Sequence, residues 1–158
     1  MKLIYKDWFS IVASDNDKLG DALDYFEQQY LKGQELAQVE GNLMELIKFH
    51  AGYLSFYDQL HTQLECLRDL FASDLARIKS TVTREWLDNP PTNVAPNATQ
   101  VKTLIEGDER VQDLTQALTL INYWYGSYNS LMKNFVQRGF SLSQLTEIRK
   151  HGLEEARV

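Results

Sequence analysis

Apolar residues recur at intervals of three and four over most of this chain, the period of helices that each bury one face. The longest run is Tyr57, Leu60, Leu64, Leu67, Phe71, Leu75, Ile78, Val82 and Trp86, and no proline falls between Asp17 and Asp88. These positions predict a long amphipathic helix with an apolar stripe of about eight turns. A stripe of that length needs other helices or other subunits to cover it. Upstream, Ser14-Asp15-Asn16-Asp17 gathers side chains that cap helix N-termini, and Leu19, Ala22, Leu23, Phe26 and Tyr30 follow at helical spacing. Lys32-Gly33-Gln34 predicts the end or a bend of that first helix. Leu36, Val39, Leu43, Leu46, Ile47 and Phe49 then form a second segment, with a hairpin turn at His50-Ala51-Gly52 favoured over a continuous helix.

The stretch Asp88 to Asn97 holds all three prolines and divides the chain into two helical parts. A short helix is expected over Thr99–Ile105, a break at Glu106-Gly107-Asp108, and a longer helix from Glu109 to Arg138. Its apolar face runs through Val111, Leu114, Leu118, Ile121, Tyr125, Tyr128, Met132 and Phe135. Gly139 then suits a left-handed helix ending, Ser141 with Gln144 matches a capping box, and Phe140 can contact Phe135 and staple to Leu145. The expected fold is therefore all-α: long amphipathic helices followed by a C-terminal helix pair with a fixed corner at Gln137–Ser141. Within one domain overall, residues 1–88 form an N-terminal helical part, 89–98 a Pro/Asn-rich loop, and 99–158 a C-terminal helical part. Residues 1–14 stay open between a helix, an arm and a tail.

Composition changes this picture little. The chain has 158 residues, 44% of them hydrophobic and 24% charged, ordinary values for a folded domain. The single Cys66 excludes an internal disulfide and suits a reducing cytoplasm. No secretory leader is legible at the start, and no run approaches the ~18 apolar residues of a membrane span. Charge is more informative than composition. The net value of −6 hides a gradient, with −7 over residues 1–75, +2 over 76–105 and −1 over 106–158.

Candidate chemistry is sparse. His61 and Glu65 share a helix face beside Cys66, but sequence neighbours on a helix do not aim a base at a thiol, and a surface pair next to a core-facing cysteine is the expected reading. His50, His61 and His151 lack metal-ligand spacing, and the glycines form no phosphate loop. No cofactor, metal or catalytic residue is expected, so the chain does not read as an enzyme. The aromatic run Tyr123-Trp124-Tyr125-Gly126-Ser127-Tyr128 exceeds what one helix face needs and implies two covered surfaces. Core plus subunit packing is favoured over stacked bases, because no Lys or Arg lies between Arg110 and Lys133. The candidate subunit interface is Leu118, Tyr123, Trp124, Tyr128, Phe135, Phe140 and Leu145. The basic window holds Arg77, Lys79, Arg84 and Lys102; on composition alone it complements a helix C-terminus and solubilises it.

The stretch Gln100-Val101-Lys102-Thr103-Leu104-Ile105 with Asp108, the segment containing Tyr123-Trp124, and Arg138-Gly139-Phe140 followed by Gln144, Ile148, Arg149 and Glu155-Ala156 resemble the C-terminal half of the UvsY-type phage recombination mediators. A fainter likeness lies in Asn42-Leu43-Met44 and Lys48-Phe49. The resemblance is colinear over about a third of the chain. It implies a ring-like homo-oligomer that binds single-stranded DNA and helps a RecA-like recombinase replace the phage single-strand-binding protein. It also raises the basic window to a DNA-binding candidate, since Arg77, Lys79 and Arg84 precede Trp86 near the end of the long helix, as the family's cations precede a tyrosine pair. In this chain that pair is Glu85-Trp86, and residues 1–75 are more acidic than the family pattern. The alternative is a helical scaffold or adaptor of a phage that binds only proteins.

Overall fold

The computed structural model describes residues 3–88 and 97–152. All regular structure among them is helical: α1 (Trp8–Ser14), a 3-10 turn (Asn16–Lys18), α2 (Leu19–Leu36), α3 (Leu43–Asp88), α4 (Ala98–Gly107) and α5 (Glu109–Lys150). At 46 and 42 residues, α3 and α5 are the two long members, roughly 69 and 63 Å at 1.5 Å per residue. They run antiparallel, so that His50 meets Arg138, His61 meets Tyr125, and Glu85 meets Arg110. The expected stripe is the face that α3 buries, with Tyr57, Leu60, Leu64, Leu67, Phe71 and Val82 all inside.

Shorter elements cover part of this pair. Capped by Asp7, α1 lies against α3, where the buried Gln63 accepts hydrogen bonds from the Trp8 and Phe9 amides at 2.7 and 3.2 Å and donates to the Lys6 carbonyl at 3.0 Å. The amide side chain thus satisfies the helix start that it packs against. The first fourteen residues therefore include a docked helix. On α2, Ala22 and Phe26 face the core, and the hydroxyls of Tyr57 and Tyr128 donate to its Gln29 and Phe26 carbonyls at 3.0 and 2.9 Å. Two long helices are tied to the third by buried phenols.

Four local expectations need correction. The first helix does not end at Gly33; α2 continues to Leu36, and Gly33 is buried where α2 meets Tyr57 and Leu131. Leu36–Phe49 is not a separate helix, since the turn lies between Ala37 and Asn42 with Gly41 at a φ of +107°, the left-handed region that glycine enters freely. No turn interrupts His50-Ala51-Gly52, which lies within α3. The C-terminal pair with a corner at Gln137–Ser141 is one helix, and among the described glycines only Gly41 and Gly152 have positive φ. Here tertiary burial overrides local stop signals: Phe135, Arg138 and Leu142 continue the buried face across Gly139. The Ser141 hydroxyl turns back to the Gln137 carbonyl at 3.2 Å instead of capping a new start.

The short helix after the proline segment forms as expected but runs Ala98–Gly107, so that the break expected at Glu106-Gly107-Asp108 narrows to Asp108. Asn97 and Gln100 form a reciprocal capping box at the start of α4, and Asp108 caps α5. Most of the proline-rich loop, residues 89–96, lies outside the described residues.

Candidate nucleic-acid interface

The basic window does not make one continuous surface. At 100° per residue, Arg84 returns to within about 20° of Arg77, whereas Lys79 lies about 160° away. Val82 is fully buried and points well away from the two arginines, so Arg77 and Arg84 share the outer, exposed side of α3. Lys79 lies beside α4 and the start of α5, lining a cleft with Glu106, Val111 and Gln112. Lys102 is on α4. The four candidates therefore divide between an arginine pair on one face and two lysines elsewhere.

Carboxylates answer part of this charge. Arg77 pairs with Asp74 at 2.9 Å and Lys102 with Glu106 at 3.8 Å, both in exposed surroundings where such pairs contribute little and exchange readily with water or another anion. A tighter cluster links α3 to α5: Arg110 binds Glu85 at 2.7 Å and Asp108 at 2.9 Å. Hydrogen bonds from Arg110 are the main cause that holds both carboxyls below their ordinary pKa. Arg110 is thereby engaged where the helices meet, beside a half-buried Trp86.

The aromatic run is covered on two sides, and both covers belong to the same chain. Trp124 packs edge-on against Tyr30 of α2 at 5.7 Å, and Tyr128 meets Phe26 at 6.0 Å. On the other side Tyr125 stacks on His61 at 4.8 Å and lies under the Arg68 guanidinium at 4.4 Å. His61 is thus half-buried against an aromatic ring, with its Nε2 buried and without a hydrogen-bond partner among the described residues, instead of pairing with Glu65 at the surface; Glu65 is 3.6 Å from Arg68. Cys66 is half-buried.

Of the candidate interface residues, Tyr128 and Phe135 are wholly inside this chain, and Leu118, Trp124 and Leu145 are half-buried. Tyr123 and Phe140 are outside, 64% and 62% exposed, as are Leu120 and Val136. The apolar side chains that α5 leaves exposed are that second set and Ile148.

The sequence reading missed Arg138, which is 2% exposed. Its Nε and Nη1 donate to the Gln38 and Leu46 carbonyls at 3.4 Å, and Nη1 donates to His50 Nδ1 at 2.8 Å. Burial, followed by the charge of Arg138, holds His50 below its ordinary pKa, in the neutral form that can accept this bond. Gly139 packs beside the same ring, since a Cβ there would stand 2.8 Å from His50 Nε2. The signal was present in the pattern: Arg138 occupies a position between Phe135 and Leu142 on the apolar face.

These features define a long-helix protein with polar and charged outer faces and a tyrosine-rich core. No protein-family model, curated protein or solved structure matches the chain. Among the described residues, no helix is long and apolar enough to cross a membrane, and no group of three His, Cys, Asp or Glu is placed to hold a metal ion.

Proposed function

We propose that this chain is a recombination mediator of the UvsY type: without covalent chemistry, it binds single-stranded DNA and promotes loading of a RecA-like recombinase in place of a phage single-strand-binding protein. The observation that carries the reading is the colinear resemblance from Gln100 to Ala156. One of its blocks, Arg138-Gly139-Phe140, has three separate surroundings: Arg138 ties α5 to the α2–α3 turn, Gly139 allows close approach to α3, and Phe140 is exposed. In this reading Phe140, with Tyr123, contributes to assembly of a ring-like homo-oligomer in the host cytoplasm. The DNA-contacting cations are foremost Arg77 and Arg84, which share a face roughly 10 Å apart along the helix, with Lys79 and Lys102 at its margins. Each subunit would bind weakly, and several arginine pairs presented to one strand would supply the avidity.

Titration of oligothymidylate at several salt concentrations tests this. Binding should weaken with salt, and Arg77→Ala with Arg84→Ala should lower the logarithmic salt slope by roughly 0.7 per lost contact in each engaged subunit. Binding that is absent at low salt, or that is unchanged in the double variant, would sink the DNA site.

A second reading, a helical adaptor that binds proteins only, is favoured by the pairing of Arg77 and Lys102 with nearby carboxylates and by the net charge of −7 over residues 1–75. It expects no salt-dependent DNA binding.

A further inference from the structure

At the corner where α2 turns into α3, a cleft of about 490 Å³ opens between the turn and the C-terminal half of α5. Arg138 lines it. Burying a guanidinium is costly unless a carboxylate or several good acceptors compensate it. Here the acceptors are two carbonyls at a long 3.4 Å and one neutral imidazole, and among the described residues Nη2 has no hydrogen-bond partner. No carboxylate is in an ion pair with Arg138 among those residues. Glu35, Glu40 and Glu45 line the same cleft, as do Phe49 and Tyr53, whose rings stack 6.2 Å apart.

We propose that this cleft binds a small zwitterion of the amino-acid class, with its carboxylate on Arg138, its apolar body against Phe49 and Tyr53, and its cationic group among the three glutamates. The planar guanidinium fork matches a carboxylate, and the low polarity around it strengthens that contact. Three glutamates disfavour a plain anion and offer a second pole to a ligand that carries both charges. The volume is within the range of small-molecule sites. None of these groups belongs to the arginine face assigned to DNA.

Titration calorimetry of the full chain with 6-aminohexanoate, hexanoate and hexylamine separates the poles. The zwitterion should bind about tenfold more tightly than either hexanoate or hexylamine, each of which meets only one pole. Replacing two rim residues together, Glu40→Gln and Glu45→Gln, should remove the advantage of 6-aminohexanoate over hexanoate while leaving the melting midpoint in place, because both side chains are exposed. Arg138→Lys should lose both carboxylate ligands, and the glutamine pair keeps the test valid if that variant does not fold. The proposal is overturned if none of the three probes binds at about 10 mM, if hexylamine matches 6-aminohexanoate, or if the glutamine pair leaves the selectivity intact.

Discussion

The two ends of the α3–α5 pair are built differently. From Tyr53 to Phe71, α3 is covered by α1, α2 and α5, and the buried cluster is dominated by aromatic rings that interlock between helices. Beyond Phe71 α4 lies alongside the pair; Val82 and Val111 are buried, but among the described residues no aromatic rings pair there, and the helices are joined by the Glu85–Arg110–Asp108 cluster. Stability is therefore concentrated at the first end, where apolar area and buried phenol hydrogen bonds coincide. The basic window is at the second, where its four cationic side chains are exposed and can meet a ligand at little structural cost. The contrast separates the part that specifies the fold from the part that is available for binding.

The largest effect that would test this division is a deletion inside the aromatic end. Phe135 is wholly buried and stacks on Tyr57 at 5.0 Å, so Phe135→Ala should cost about 3–5 kcal/mol. Val82→Ala at the other end should cost about 2 kcal/mol or less, since fewer buried methyls are lost. Urea denaturation of both variants measures the difference; equal losses would mean that the two ends are equally packed.

Next in size is Gly33→Ala. An added Cβ would stand 2.6 Å from Leu131 Cδ2 and 2.9 Å from Tyr57 Cε1, so overpacking should destabilise by about 1–3 kcal/mol despite the better helix propensity of alanine. Thermal melts decide it, and an unchanged midpoint would show that α2 can move away from the pair.

Gly126→Ala should act in the opposite direction. This glycine is exposed within α5 and a Cβ there meets nothing within 4 Å, so helix propensity alone should stabilise the chain by about 0.8–1 kcal/mol. A loss of stability, read in the same melts, would mean that a neighbouring subunit packs closely on this face beside Tyr123.

The smallest effect concerns pH at the Arg138 corner. With the His50 pKa lowered in the folded state from the ordinary 6.5, the unfolded chain binds more protons in the window below that value. The contribution of His50 is thus fully present above pH 6.5 and is lost as pH falls through the folded-state pKa. The melting midpoint should decline from pH 7 to about pH 5, above the carboxylate range, and His50→Gln should flatten that part of the profile. An identical slope in the variant would mean that the imidazole does not titrate with folding.

Legible from local pattern alone were the helical class, the buried stripe of α3, the short helix expected from Thr99 and the start of the next helix at Glu109, because a 3.6-residue apolar period and local breaks depend only on residues within a turn or two of each other. The sequence also located the cations, though not their division, which follows from which side of α3 is packed. Where glycine ends a helix and where it serves as a contact depends instead on long-range packing. Gly33 and Gly139 carry the same local stop signal as Gly41, yet Tyr57 and His50 press against the first two while nothing lies within 4 Å of a Cβ on the third, whose φ of +107° turns the chain. The same holds for the aromatic run and for Arg138. Their roles depend on partners as far as 102 residues away in the chain, at Phe26, Tyr30, Gln38 and His50, and no local pattern encodes a contact that only the antiparallel pairing of α3 and α5 and the docking of α2 bring about.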